Sequence, residues 1–267
     1  MSYAAGRVDA LDYQPCRYGA SKLVFRGPKK PTDGTYVAVL GSTEVYGRFI
    51  ARPFAELVEQ ACDLPVLNLG CQSAGIDAFL YDTDVMSLAK GAALTVVHVM
   101  GAPNMSNRFY RVHPRRNDRF LGPSDALRAL YHEVDFTDFS FNKHMLSTLN
   151  MVCSSRFTVL REELRQAWSA RMRLLLKTID GPVLLLWLRE QMPKGLGAEP
   201  LFVGADMVSD LADRTLGVME VPVARAGSDL TGMIFDPMEV SVASEVLGVE
   251  MHHRIAEALA PAIVARL

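Results

Sequence analysis

Cysteine is scarce in these 267 residues. Cys16, Cys62, Cys71 and Cys153 form no C-x-x-C pair and no metal-ligand spacing, which excludes a zinc ribbon and a disulfide-stapled framework. Reduced thiols in a cytoplasmic compartment are the expectation. Long apolar runs are lacking too: Val183 to Leu188 has the length of a strand, far short of the ~20 residues a membrane-spanning helix needs. The N-terminus, Met1 to Arg7, is followed by polar residues and carries no signal-peptide core. Nor is there an excess of positive charge. The formal net charge of −2 argues against a nucleic-acid partner, which a basic field would favour. H-E-x-x-H, D-x-D, G-x-G-x-x-G and the Gly-Lys-Ser/Thr of a phosphate loop are all missing, so neither a metal nor a resident cofactor is expected. No internal repeat or low-complexity segment is present.

What the chain does have is the composition of a globular protein. At 49% hydrophobic and 22% charged residues it can bury a full core without staples. Residues 1–35 read as an irregular arm, with Pro15, Pro28, Pro31, Gly27, Gly34 and a basic cluster of Arg26, Lys29 and Lys30. Its Tyr, Leu and Phe residues suggest that it wraps on the body. Residues 36–267 then read as one α/β domain. Apolar runs at 36–40, 65–69 and 94–100 alternate with helical patterns at 53–62 and within 75–89, the rhythm of βαβ units and a parallel sheet. Helices are predicted at 143–152, 156–179 and 206–213, and from about 243 to the end, further strands at 183–188, 201–203 and 217–221. Residues 104–142 break the rhythm and read as an insertion or lid.

Ligands of open parallel sheets bind outside the carboxyl ends of the strands, so the residues after each strand are the informative ones. After the first comes Gly41-Ser42-Thr43-Glu44-Val45-Tyr46-Gly47, with two hydroxyls, a carboxylate and a phenol in one turn. The plainer reading makes Ser42 or Thr43 a helix cap. After the second comes Asn68-Leu69-Gly70-Cys71, where Gly70 lets a backbone N–H approach a ligand oxygen. After the third comes Gly101-Ala102-Pro103-Asn104, where the Asn104 amide could donate to an oxyanion or form a local turn.

Taken in this order, the three turns resemble those of the SGNH (GDSL-like) hydrolase superfamily, over about residues 36–107 and the terminal helix. Gly41 and Gly47 match the glycines of its G-D-S-x-x-x-G turn, Gly70 its second glycine, and Gly101 with Asn104 its G-x-N-D turn with one extra residue. The resemblance implies a three-layer, flavodoxin-like α/β fold with a mostly parallel sheet. It also implies acyl-transfer chemistry, with Thr43 (or Ser42) as nucleophile and the Thr43 N–H, Gly70 N–H and Asn104 amide as oxyanion donors. The chain departs from that pattern in two places. Ser42 and Thr43 replace the Asp and Ser of the first turn, and the D-x-x-H expected before the last helix is absent, leaving Glu44 or His252 as candidate base. The whole chain also resembles a bacterial family sharing the segments seen here from Asp12 to Gly19 and from Met105 to Phe120, a likeness that implies no activity.

The insertion gathers Arg108, Arg111, Arg115, Arg116 and Arg119 around Asn107, His113 and Asn117. Arginine suits bidentate anion recognition. Arg108, Arg111, Arg115 and Arg116 are therefore the candidate anion-binding residues, with Tyr46, Asn107 and His113 as further pocket residues; the alternative is a solvated basic loop. His98, mid-strand, reads as a satisfied core histidine, although its parity could aim it elsewhere. Three functions follow as expectations. The first is an esterase or acyltransferase acting on a polar, anionic carbohydrate ester, with coenzyme A as an optional co-substrate. The second is a non-catalytic binder of an anionic saccharide or nucleotide, and the third a sulfuryl or phosphoryl transferase. The expected partner is a small molecule or saccharide, with neither nucleic acid nor membrane, and a homo-oligomer is allowed.

Overall fold

The computed structural model describes residues 11–192 and 195–267. The first ten residues of the expected arm, and Pro193 of the loop after the fourth apolar run, lie outside the described residues.

In chain order the elements are β1 (Val37–Gly41), α1 (Thr43–Tyr46), α2 (Phe54–Cys62), β2 (Val66–Gly70), α3 (Ile76–Leu80), α4 (Thr83–Gly91) and β3 (Leu94–His98). The insertion follows with β4 (Tyr110–Val112), β5 (Phe120–Pro123) and α5 (Asp125–Leu130). Then come α6 (Asn142–Val152), α7 (Ser154–Ile179), β6 (Val183–Glu190), α8 (Ala205–Ser209), β7 (Val218–Val223), α9 (Val240–Ala243) and α10 (Val249–Val264). Five strands make one sheet in the order β2-β1-β3-β6-β7. All its pairings are parallel, with Val37 opposite both Val66 and Leu94. Leaving out the separate β4–β5 hairpin, this is the flavodoxin-like order, whose switch point lies between β1 and β3.

Side-chain alternation along the strands divides the core into two layers. Val37, Val39, Leu94, Val96, Leu184 and Leu186 pack with Phe54 and Val58 of α2 and Ile255 and Leu259 of α10. Their neighbours Ala38, Leu40, Val97 and Leu185 pack on the other face with Phe79, Val85, Leu164, Trp168 and Met172. Each fully buried aliphatic side chain contributes roughly 1.5–3 kcal/mol, so strands covered on both faces are where near-continuous apolar runs belong. The Trp168 indole donates to the Met100 carbonyl at 2.7 Å, fixing the end of β3 to α7.

The described part of the arm lies on this body. Cys16 and Phe25 form an antiparallel bridge, and Tyr18, Leu23 and Phe25 enter the second layer. Arg26 is buried and donates to the carbonyls of Gly47 (2.8 Å) and Ala51 (2.7 Å), which offsets the cost of burying its charge.

Two expected elements differ. Residues 201–203 form a turn, not a strand: the Leu201 N–H donates to the Glu199 carboxylate at 2.9 Å and its carbonyl accepts from the Ala102 N–H at 3.0 Å. The insertion, expected to be irregular, holds the antiparallel β4–β5 hairpin. No helix among the described residues is long and apolar enough to cross a membrane.

Candidate functional site

At the switch point a cavity of roughly 420 Å³ opens beyond the carboxyl ends of the strands. Ser42, Thr43 and Glu44 reach it from the turn after β1, Ser73 and Ala74 from the segment after β2, and His98 and Asn104 from the end of β3 and beyond. Its volume lies in the range of small-molecule sites.

Hydrogen bonds lock these three turns together. The Thr43 hydroxyl accepts from the Ser73 N–H at 2.9 Å. Ser73 has φ 57°, a left-handed conformation that costs a non-glycine residue about 1 kcal/mol or more. Its carbonyl accepts from the Asn104 amide at 3.3 Å. The Asn142 amide donates to Asn104 Oδ1, to the Pro103 carbonyl and to the Asn117 carbonyl. Asn117, fully buried, accepts from the Gly75 N–H at 2.8 Å. Gly75 must lack a side chain, because a Cβ there would stand 1.7 Å from the Asn104 carbonyl oxygen.

Neither candidate hydroxyl caps a helix. Ser42 is the N-cap of α1, but its side chain makes no capping bond, and the Thr43 oxygen is turned to Ser73 instead. The first N–H groups of α1, on Thr43 and Glu44, have no acceptor inside so short a helix. No carboxylate or imidazole among the described residues hydrogen-bonds to either hydroxyl.

His98 is the residue that the sequence reading placed in the core. It lines the cavity with 4% of its surface exposed, its Nδ1 has no hydrogen-bond partner among the described residues, and Glu44 Oε2 stands 4.0 Å away. Burial pushes its pKa below the ordinary histidine value, against the opposing pull of Glu44 and Glu199, so the imidazole is neutral near pH 7. Gly41 makes room for it: a Cβ on Gly41 would sit 2.6 Å from the His98 Cβ.

Several expected site residues lie elsewhere. His252 is buried in α10, off the cavity lining; its Nδ1 accepts from the Phe54 N–H at 3.1 Å, and burial lowers its pKa to about 3. An imidazole off the cavity lining, with its lone pair already engaged, is not placed to act as their base. The Gly70 N–H is spent on Asn68 Oδ1 at 3.0 Å, so it is no oxyanion donor. What demands glycine there is the approach of α1, since a Cβ would lie 2.3 Å from the Tyr46 nitrogen. Tyr46 packs against Tyr13, its ring centroid 5.2 Å away, and does not line the cavity. Asn107 and His113 form local turns: Asn107 Oδ1 accepts from the N–H groups of Phe109 and Tyr110, and His113 Nδ1 from those of Arg115 and Arg116.

The arginines do not form a wall of this cavity. Arg108 pairs with Glu163 at 3.4 Å and lies over the Phe109 ring, while Arg111 and Arg116 are exposed. Arg115 borders a separate, more open groove beside Asp77, Asp82 and Arg171. Among the described residues of the insertion, Asn104, Asp118 and Phe141 reach the cavity, Phe141 carrying Arg119 over its ring at 4.3 Å.

The opposite wall was missed by sequence reasoning. Arg225 Nε pairs with Glu190 Oε1 at 2.7 Å, and the same guanidinium lies 3.9 Å from Glu199 and 3.7 Å from Glu245. Lys143 Nζ meets Glu199 at 3.2 Å. Glu190 ends β6, Arg225 follows β7 by two residues, and Glu245 stands just before α10, in the region where the D-x-x-H was expected.

These features define a three-layer α/β protein with a polar site at the switch point of its sheet. The chain belongs to the family described as a domain of unknown function, DUF6473, whose model matches residues 1–267. No curated protein matches the sequence. Among solved structures it is similar to a Corynascus carbohydrate esterase family 2 enzyme with a carbohydrate-binding domain, at 14% identity over 90% of this chain and 68% of that one, TM-score 0.49. It is also similar to a G-D-S-L family protein from Desulfitobacterium hafniense (12%, 85% and 99%, TM-score 0.46). A family two carbohydrate esterase from Clostridium thermocellum gives 10%, 92% and 68%, with a TM-score of 0.44. The assignment of architecture rests on the strand order itself.

Proposed function

We propose that this chain is an acyl-transfer enzyme, an esterase or acyltransferase acting on a small polar ester. The observation that supports it is the meeting, in one cavity, of the uncapped Ser42 and Thr43 hydroxyls with a buried, neutral imidazole, His98, that has Glu44 beside its Nδ1. Thr43 is the preferred nucleophile. Its oxygen accepts from Ser73, which leaves its own proton free to be taken. Its oxygen bonds to the acyl carbon, His98 receives the proton, and Glu44 stabilises the imidazolium so formed. The proton then passes to the departing alkoxide, and water or an acceptor hydroxyl releases the acyl group from Thr43. The N–H groups of Thr43 and Glu44, with the second N–H of Asn104, are the available oxyanion donors.

The test is p-nitrophenyl acetate hydrolysis by wild type, Thr43→Ala and Ser42→Ala. Thr43→Ala is expected to lose about 100-fold or more, while Ser42→Ala keeps most of the rate. Equal rates for wild type and Thr43→Ala would remove Thr43 as nucleophile.

A second reading, a binding protein without turnover, is favoured by one observation: among the described residues, neither hydroxyl is hydrogen-bonded to a base. Absence of hydrolysis by the wild type would select it. Sulfuryl or phosphoryl transfer, coenzyme A as co-substrate and an anionic ligand all drew on the Arg108–Arg116 cluster. No member of that cluster lines the cavity.

A further inference from the structure

The insertion closes on its own beginning. Asn104 opens it and Asn142 ends it, and the two side-chain amides meet: Asn142 Nδ2 stands 3.3 Å from Asn104 Oδ1. Asn104 lines the cavity, whereas Asn142 is fully buried and off the lining. The Asn142 backbone is held as well, its N–H donating to the Asp118 carbonyl at 2.9 Å.

Which way each amide faces follows from partners whose role is fixed, because a backbone carbonyl only accepts. The carbonyls of Asn117 at 2.6 Å and Pro103 at 3.3 Å face one end of the Asn142 amide, so that end is the NH2 group. It also offers an N–H to Asn104, and the Asn104 atom that meets it is the oxygen. The other end of the Asn104 amide meets the Ser73 carbonyl at 3.3 Å, which independently requires the NH2 group there. One of its hydrogens goes to Ser73 and the second remains for the cavity. Only the donor end of Asn142 is used: its Oδ1 is buried with no hydrogen-bond partner among the described residues. Without Asn142, one of the two hydrogen bonds that orient the Asn104 side chain is gone. A half-turn of that amide would then present an acceptor, not a donor, to a developing oxyanion.

We infer that Asn142 is a positioning residue for acyl transfer: it fixes the Asn104 amide with an N–H toward the cavity. Its part in catalysis rests on the acyl-transfer reading; the fixed orientation does not. The insertion thereby gains a task in the site that its arginines do not supply.

Steady-state hydrolysis of p-nitrophenyl acetate and hydrogen exchange of the Asn104 side-chain amide, followed by NMR on the full chain, test it together. Asn142→Leu and Asn142→Ala both remove the donor, two variants guarding against misfolding of one. Each should lower kcat at least about tenfold with KM within about twofold, the pattern of an interaction made only in the transition state. The double variant Asn104→Ala with Asn142→Leu should be no slower than Asn104→Ala alone, because Asn142 acts through that amide. A kcat within about twofold of wild type, a loss carried by KM, or losses that multiply in the double variant would overturn the proposal. The Asn104 NH2 signals, identified by their disappearance in Asn104→Ala, should exchange slowly in the wild type and faster in Asn142→Leu. A wild type that hydrolyses no ester but shows this dependence of exchange on Asn142 sinks acyl transfer and leaves the oriented amide standing. Hydrolysis with an Asn104 amide whose exchange ignores Asn142 does the reverse.

Discussion

The layer between the sheet and helices α2 and α10 holds two buried histidines, one between the starts of the two helices and one at the end of β3, and they behave differently. His252 receives a hydrogen bond from the Phe54 N–H and stacks on the Phe54 ring at 5.8 Å. His98 sits at the last position of β3, beside Glu44 and the cavity, and its Nδ1 has no hydrogen-bond partner among the described residues. Burial lowers the pKa of both. A shifted pKa therefore does not by itself mark a functional histidine; what distinguishes the two is that His98 lines the cavity and His252 does not. His252 ties α10 to the start of α2, whereas His98 lines the cavity beside Glu44.

The largest expected effect breaks the comparison directly. His98→Gln should lower ester turnover by about 100-fold or more, the usual loss for a general base. His252→Asn, whose side-chain oxygen can still accept from the Phe54 N–H, should leave turnover within a few-fold. Steady-state kinetics on both variants decides; a larger loss from His252→Asn would invert the assignment.

Next in size is a difference in stability against pH. The folded pKa of His252 is about 3, below the ~6.5 of an unfolded histidine. Between these values the unfolded chain binds the extra proton, so stability rises with pH across that window and falls as the solution is acidified through 6.5. Going from pH 7 to pH 5, this one group should cost about 2 kcal/mol. Urea unfolding of wild type and His252→Asn at the two pH values should show the variant with the flatter dependence; parallel curves would show that His252 does not titrate as a buried group.

Gly41→Ala probes the other histidine without touching it. The added Cβ would collide with His98, and overpacking of this kind costs about 1–3 kcal/mol. The melting temperature should fall, and turnover with it, because His98 is the group displaced.

How far the sequence went can be judged on the same residues. Four of the five parallel strands were legible because a strand covered on both faces must be mostly apolar, and such runs at 37–41, 66–70, 94–98 and 183–190 are hard to disguise, while β7, largely exposed, showed only as a shorter run. The three-residue run at 201–203 was not separable from a turn by periodicity. The β4–β5 hairpin was hidden because its strands are three and four residues long in an arginine-rich stretch. In the site, the turns after β1 and β3 were read at the right places. Parity held a usable signal for His98: Leu94 and Val96 enter the α2–α10 layer, and a period of two carries His98 to the same side, at the end where that layer opens. Glu190 and Arg225 carry no motif, yet both stand where β6 and β7 end; reading the last two strands by the rule applied to the first three would have found them. The pairing of Arg225 with Glu190, Glu199 and Glu245 joins segments with no fixed spacing, and only the folded chain shows it.

A smaller effect sharpens the role of Glu44. If His98 is the base, activity falls on the acid side as it protonates, at a pH below the ordinary histidine value. Glu44 favours the imidazolium and so opposes the shift caused by burial. Glu44→Gln removes that support, which lowers the His98 pKa further and should move the acid limb of the kcat/KM profile to lower pH. Loss of all activity across the profile would instead make Glu44 itself the base.

The smallest effects belong to the residues that stand out most in the sequence. Arg111 and Arg116 are exposed and do not line the cavity. Replacing either with Ala should change stability by less than about 0.5 kcal/mol, as at ordinary surface positions, and leave ester turnover unaltered. Arg225→Ala provides the contrast within one residue type. It strands Glu190, which is 8% exposed, without its cation, and breaking one side of a buried pair costs about 3–5 kcal/mol; partial exposure of the Arg225 side chain places the expected loss at or below the lower end of that range. Chemical unfolding of the three variants would therefore rank arginines by the number of carboxylates each one holds, the reverse of the order suggested by their clustering along the chain.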